Sequence, residues 1–278
     1  MNGISLFSGI GGIDLAFNWA GGNILAFCEI DPFCQKVLRK HWPDTPIFSD
    51  IHELSKDVIR NAGINTAVDI IYGGFPCQPF SVAGNKKGKD DTRYLWPEFS
   101  RLVEEFRPRW VVAENVPGIL RIAADDVCSD LERQDYDVGI FDFEAAAVGA
   151  KHRRERIFFV AHSRCTLRQG SFEQGTLQNE ITGGTSHKPE RPDCILVPDT
   201  GCTRCKWSIA CGLQEKQSAI GLYGRWEPEP CVDRVANGIP NRVDRLRALG
   251  NAVVPQQAYP VFKAIMDAEQ NGISHPSD

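Results

Sequence analysis

No run of about 18 apolar residues occurs in the 278-residue chain, so a membrane span is not expected. Met1 to Phe17 is apolar but lacks a basic start and carries four glycines and Asp14, so it is not expected to act as a secretory signal. Basic residues are not in excess. Lys and Arg number 31 against 36 Asp and Glu, and the net charge of −5 gives no overall nucleic-acid signature. Internal repeats are missing. Ten cysteines without an export signal point to a reducing, cytoplasmic setting and free thiols rather than a disulfide scaffold. Cys202-x2-Cys205, with Cys211 near, has zinc-ligand spacing, but no second such pair follows. Small buried cysteines are the favoured reading there.

The chain does have a hydrophobic content of 42 %, enough for a sizeable core, and a length suited to one large domain or one plus a small one. Its charge is unevenly spread. Residues 162–250 carry +2 while the stretches on either side are negative. Two short basic blocks stand out, Lys86-Lys87-Lys89 and Lys151-His152-Arg153-Arg154-Arg156. Each reads as a solvated loop or part of a DNA-facing surface, the loop reading being the weaker for the second block, which the apolar run Ile157–Ala161 follows directly.

Through residue 161, short apolar runs alternate with amphipathic ones. Strands are predicted at Ile4–Phe7, Asn23–Cys28, Val68–Tyr72, Trp110–Ala113, Val138–Phe143 and Ile157–Ala161. Helices are predicted at Ile13–Ala20, Pro32–His41, Tyr94–Phe106 and Pro117–Arg133, with Gly21-Gly22 as a stop and prolines in two first turns. This order predicts an α/β fold, a mostly parallel sheet with helices on both faces. Residues 162–240 lose that rhythm and read as a small loop-rich domain or insertion. A helix over Asn241–Leu249, Gly250 to Pro255 and a last helix over Gln256–Glu269 follow, and residues 271–278 read as a frayed tail.

Candidate site residues fall at strand ends. The first strand runs into Phe7-Ser8-Gly9-Ile10-Gly11-Gly12-Ile13-Asp14, a turn that lets the backbone approach a ligand. The dinucleotide fingerprint would need glycine where Asp14 stands, which weakens a nicotinamide reading. Glu29 ends the second strand and can grip two ribose hydroxyls, and Asp50 falls where a third would end and can accept from an adenine amino group. A cap or turn role is the lesser reading for each acid, and weaker again with the glycine turn, Glu29 and Asp50 in order. The fourth strand leads into Gly73-Gly74-Phe75-Pro76-Cys77-Gln78-Pro79-Phe80-Ser81. Cys77, between two prolines on a stiff turn, is either an aimed nucleophile or a buried structural thiol. Glu114 follows the Trp110 strand, so a nucleophile and an acid lie at neighbouring strand ends.

These motifs, with Asp90-Asp91-Thr92-Arg93, Glu114-Asn115-Val116, Arg153-Arg154-Glu155-Arg156 and Gly250-Asn251-Ala252-Val253-Val254-Pro255, resemble the DNA cytosine-5 methyltransferases, most of all small phage or prophage members. The resemblance covers residues 1–161 and about 241–265. It implies a Rossmann-like catalytic domain at 1–161 plus 241–270 and a target-recognition domain at 162–240. It implies S-adenosylmethionine as cofactor and no metal. Phe7, Gly9, Gly11, Glu29, Ile30, Asp50, Ile51, Pro76, Leu95, Asn251 and Val253 would form the cofactor site. Cys77 would be the nucleophile, with Glu114, Arg154 and Arg156 completing the catalytic set. Ser81, Lys86, Lys87, Lys89 and Arg93 would lie on a loop that closes over DNA. The implied partners are double-stranded DNA and a cognate restriction endonuclease, with no membrane, and the chain is expected to be a monomer. His152 departs from the family's usual Gln. RNA cytosine methylation and inactive DNA binding are the other readings. Amino-group methylation is disfavoured, since no Asp/Asn-Pro-Pro-Tyr/Phe motif occurs.

Overall fold

A computed structural model describes residues 1–76, 94–164 and 242–270. The sheet has seven strands: β1 Asn2–Leu6, β2 Asn23–Cys28, β3 Ile47–Phe48, β4 Ile70–Gly74, β5 Trp110–Asn115, β6 Tyr136–Phe143 and β7 Arg156–Ser163. Their order is β3-β2-β1-β4-β5-β7-β6. Pairing is parallel from β3 to β5, and β7 is antiparallel to both its neighbours. The chain winds outward from β1 in one direction, then resumes from β4 in the other. The ends of β1 and β4 therefore flank the crevice where open α/β sheets take ligands.

Side chains along the strands alternate between two buried clusters. On β5, Val111 and Ala113 enter one, and Trp110 and Val112 the other. On β7, Ile157, Phe159 and Ala161 face the first, and Phe158 and Val160 the second. Both faces are covered, which is why these strands read as continuous apolar runs. The first face carries α3 Lys56–Asn61, α4 Trp96–Phe106 and α5 Ala124–Arg133. The second carries α1 Gly12–Trp19, α2 Pro32–His41 and the C-terminal α7 Pro255–Gln270. The short α6 Arg242–Asn251 precedes α7.

Local signals act as their chemistry requires. Asp31 caps α2 by accepting from the Phe33 N–H at 2.8 Å, with Pro32 in the first turn. After α1, Gly21 N–H bonds Asn18 O at 3.0 Å and Gly22 N–H bonds Phe17 O at 2.9 Å, so the glycine pair closes the helix in a Schellman turn. The helix predicted over Pro117–Arg133 is instead two pieces, a 3-10 turn at Pro117–Arg121 and α5, because Ala123 leaves the helical region at φ −145°. The six-residue α3 lies outside the predicted helices. The proposed recognition domain at 162–240 falls almost wholly outside the described residues, as does the tail at 271–278. Among the described residues, no helix is long and apolar enough to cross a membrane.

The last helix is part of the core. Phe262, fully buried, meets Phe17 of α1 and Tyr72 of β4, each with ring centroids 5.3 Å apart. Gln257, also fully buried, donates to the carbonyls of Phe143 and Arg154, tying the start of α7 to the β6–β7 end of the sheet. Phe262→Ala should lower unfolding free energy by about 3–5 kcal/mol. Denaturant unfolding reads this directly. A loss under about 1 kcal/mol would mean that α7 is not integral to the core.

Candidate active site

One side of the site is built on three strand ends tied together by hydrogen bonds between side chains and the main chain. The turn after β1 brings the Gly9 N–H to Glu29 Oε2 at 2.6 Å. The other Glu29 oxygen accepts from the Asp31 N–H at 2.8 Å. Burial raises the Glu29 pKa, opposed by these two donors. Gln35 of α2 braces the next turn: its Nε2 donates to Glu29 O at 2.6 Å and to Ser49 Oγ at 3.1 Å. Beside Ser49, Asp50 Oδ1 accepts from the His52 N–H at 2.9 Å and lies 2.7 Å from His52 Nδ1. These contacts hold the Asp50 pKa down. Neither bond uses Asp50 Oδ2.

A cleft of about 390 Å³ opens along these ends. Phe7, Gly9, Glu29, Ile30, Asp50, Ile51, Pro76, Leu95, Asn251 and Val253 all line it. Ile30 is 73 % exposed on its rim, and Ile51 is buried in its wall. Gly11 is set back from the cleft. A side chain there would meet the Trp42 ring at 2.6 Å, so this glycine lets the residues after α2 pack beneath the turn. Gly12 lets the C-terminal segment approach from the other side: a Cβ would stand 2.4 Å from the Val253 carbonyl oxygen.

Glu114 lies at the other end of the cleft, near the end of β5 and in register with Gly74. Its Oε1 accepts from Arg156 Nε at 2.8 Å, with both side chains about nine-tenths buried. Its Oε2 occupies space that a side chain at position 74 would need, 2.6 Å from the site of a Cβ. Burial pushes the Glu114 carboxyl up to about 7, with Arg156 and then Arg154 pulling it back. Asn115, next in line, donates from Nδ2 to Phe75 O at 3.0 Å, and its Oδ1 accepts from the Val116 N–H at 2.9 Å. It thereby fixes the chain just before Pro76.

The two arginines part company. Arg156 is buried on Glu114, while the Arg154 guanidinium donates to the carbonyls of Gly250, Ala252 and Leu249 at the end of α6. Arg154 therefore anchors the C-terminal segment, and its charge still reaches Glu114. Cys77, Ser81, Lys86, Lys87, Lys89 and Arg93 lie outside the described residues, as do Cys202, Cys205 and Cys211. Cys28 and Cys34 also line the cleft, but burial pushes both thiols up to about 12, so neither ionises near neutrality. Gln35 and Asn115 escape sequence reasoning as site residues. Gln35 bonds a strand-end carbonyl and the Ser49 hydroxyl with no spacing to announce it, whereas Asn115 stands in the Glu114-Asn115-Val116 motif but its bond to Phe75 O is a tertiary contact.

The switch-point cleft, with acids at two successive strand ends and a third carboxylate across from them, is that of a Rossmann-like fold. The family model for C-5 cytosine-specific DNA methylases matches residues 1–192, and the chain belongs to that family. It is 38 % identical over 175 residues to the type II methyltransferase M.AquIA of Picosynechococcus sp., a match covering 57 % of this chain and 71 % of the relative. Against the type II methyltransferase M2.BsuMI of Bacillus subtilis, identity is 35 % over 58 % of this chain and 42 % of the relative. A solved structure described as a DNA modification methyltransferase encoded within a prophage (E. coli) aligns with a TM-score of 0.53 at 32 % identity, covering 59 % of this chain and 47 % of that one.

The Glu114 carboxyl binds its proton more tightly in the folded protein than its ordinary pKa of 4.5 allows. The stability this brings is whole below pH 4.5 and is lost as pH rises through about 7. Its size is on the order of 3 kcal/mol. Glu114→Gln should remove that share of the fall in unfolding free energy between those pH values. An unchanged slope by denaturant titration would contradict the assignment.

Proposed function

We propose that the chain is a sequence-specific DNA cytosine-5 methyltransferase acting through a covalent bond between Cys77 and carbon 6 of an extruded cytosine. The observation that carries this reading is the buried Glu114–Arg156 pair, set across the cleft end from Pro76, the residue before Cys77.

The cleft's donors and acceptors suit S-adenosylmethionine. Glu29 keeps acceptor capacity for ribose hydroxyls, and Asp50 Oδ2 for an adenine amino group. Ile30 and Ile51 offer apolar faces for the ring, and Asn251 and Val253 close the pocket. When bound, this cofactor supplies a sulfonium-activated methyl group to carbon 5 of the base. The protein's part is to make that carbon electron-rich. The Cys77 sulfur adds to carbon 6, and negative charge moves toward N3 of the ring. Glu114, with a pKa near neutrality, carries a proton to share with N3 and can accept from the amino group. Arg156 keeps that carboxyl aimed. Departure of the carbon 5 proton and of the Cys77 sulfur restores the ring double bond and frees the enzyme. Extruding the base costs a few kcal/mol, which closure of the 81–93 loop, with Ser81, Lys86, Lys87, Lys89 and Arg93, would offset.

Within this reading, residues 162–240 select the DNA sequence, and the enzyme works as a cytoplasmic monomer, paired with a restriction endonuclease where one exists. Cys77→Ala should abolish methyl transfer and the denaturation-resistant adduct on duplex DNA carrying 5-fluorocytosine, while S-adenosylmethionine binding survives. Persisting transfer would sink the covalent mechanism. Transfer to tRNA but not to duplex DNA would move the substrate to RNA. Glu114→Gln should slow turnover about 100-fold or more.

A further inference from the structure

Arg101 takes no part in the steps above, yet its side chain is fixed on three sides. It stands on α4, whose preceding residue, Leu95, lines the cleft. Its Nε donates to Glu98 at 2.7 Å, and its Nη1 lies 3.4 Å from Glu105 Oε2. Its Nη2 donates to two main-chain carbonyls of a distant segment, Ile51 O at 2.8 Å and Leu54 O at 3.0 Å. Glu105 uses its other oxygen to accept from the Lys56 N–H at 2.6 Å, so it also fixes the start of α3. An exposed helical ion pair contributes little. Two acids that orient one guanidinium toward two carbonyls make a rigid fork instead.

Those carbonyls belong to the turn that presents Asp50 and Ile51 to the cleft. The turn leaves β3, an edge strand of only two residues, Ile47–Phe48, too short to hold it alone. Its internal bonds are a long Leu54 N–H to Ile51 O contact of 3.3 Å and the Asp50–His52 pair, and Gln35 of α2 braces its start at Ser49, before Asp50 and Ile51. Helix α4 is the firm partner. Trp96 is buried, and its indole N–H donates to Asp130 of α5 at 2.8 Å.

We propose that Arg101 is the positioning residue for the adenine side of the cofactor cleft, holding the Asp50–Ile51 turn against α4. This rests on the cofactor reading above. Loss of the fork lets the turn drift, so the adenosine part of the ligand suffers and the chemistry at Glu114 does not. A lysine cannot replace it, because one ammonium cannot reach both acids and both carbonyls.

The test is calorimetric binding of adenosine and of S-adenosylhomocysteine to the full chain, with steady-state kinetics alongside. Arg101→Met should weaken both ligands by the same factor, about tenfold. The KM for S-adenosylmethionine should rise likewise, with kcat at saturation within about twofold. Arg101→Lys should fold and show most of the same loss, and it carries the test if the Met variant does not fold. Unchanged adenosine affinity in a folded variant, full rescue by lysine, or a fall in kcat at constant KM would overturn the inference. Failure of the wild-type chain to bind either ligand would overturn the cofactor reading, and this inference with it.

Discussion

A carboxylate withdrawn from water at a strand end must be answered by a cation or give up its charge, and the site is arranged around that demand. Glu114 is held between these outcomes. Burial pushes its pKa to about 7, and Arg156 at 2.8 Å keeps ionisation within reach. The sheet topology supplies the arginine. Because β7 runs antiparallel to β5, its first residue arrives beside the end of β5, where Asn115 pairs with Ile157 and Glu114 with Phe158. A parallel strand there would bring its last residue instead. Among the described strands, the reversal of β7 is thus what sets an arginine against a buried strand-end acid.

The second dependence is on the returning C-terminal segment. It closes the cleft through Asn251 and Val253 and is locked by contacts of several kinds. The Val253 carbonyl fills space that only glycine at position 12 leaves open. Arg154 holds the carbonyls at the end of α6, and Arg247 pairs with the Asp31 cap of α2 at 3.2 Å. Phe262 then buries the last helix against α1 and β4. The cleft and the C-terminal part of the core are therefore assembled by the same segment.

Much of this could be read in the residues. Strands buried on both faces leave apolar runs, so Asn23–Cys28 was bounded to the residue, and proline and glycine punctuation located α2 and the end of α1. Acids at strand ends fall in the cleft for the same reason: a turn follows each run, and turns at the switch point face the ligand. The six-residue α3 carried too little periodicity to detect, and the break at Ala123 sits inside an amphipathic pattern that continues on both sides. Gly11 looked like its neighbours but faces Trp42, a long-range packing choice with no local sign. Arg101 and Gln35 act on backbone carbonyls of other segments, and such bonds leave no motif; Asn115 stands in a motif, but its bond to Phe75 O is not legible from it. The insertion of β7 between β5 and β6 is likewise a matter of tertiary pairing.

The most direct test of the account is to identify the product nucleoside. Duplex DNA incubated with the full chain and S-adenosylmethionine would be digested to nucleosides and resolved by mass spectrometry and chromatography. The account predicts 5-methyl-2′-deoxycytidine at defined sequence positions. A methyl group on an exocyclic nitrogen of cytosine or adenine, or methylation confined to RNA, would contradict it.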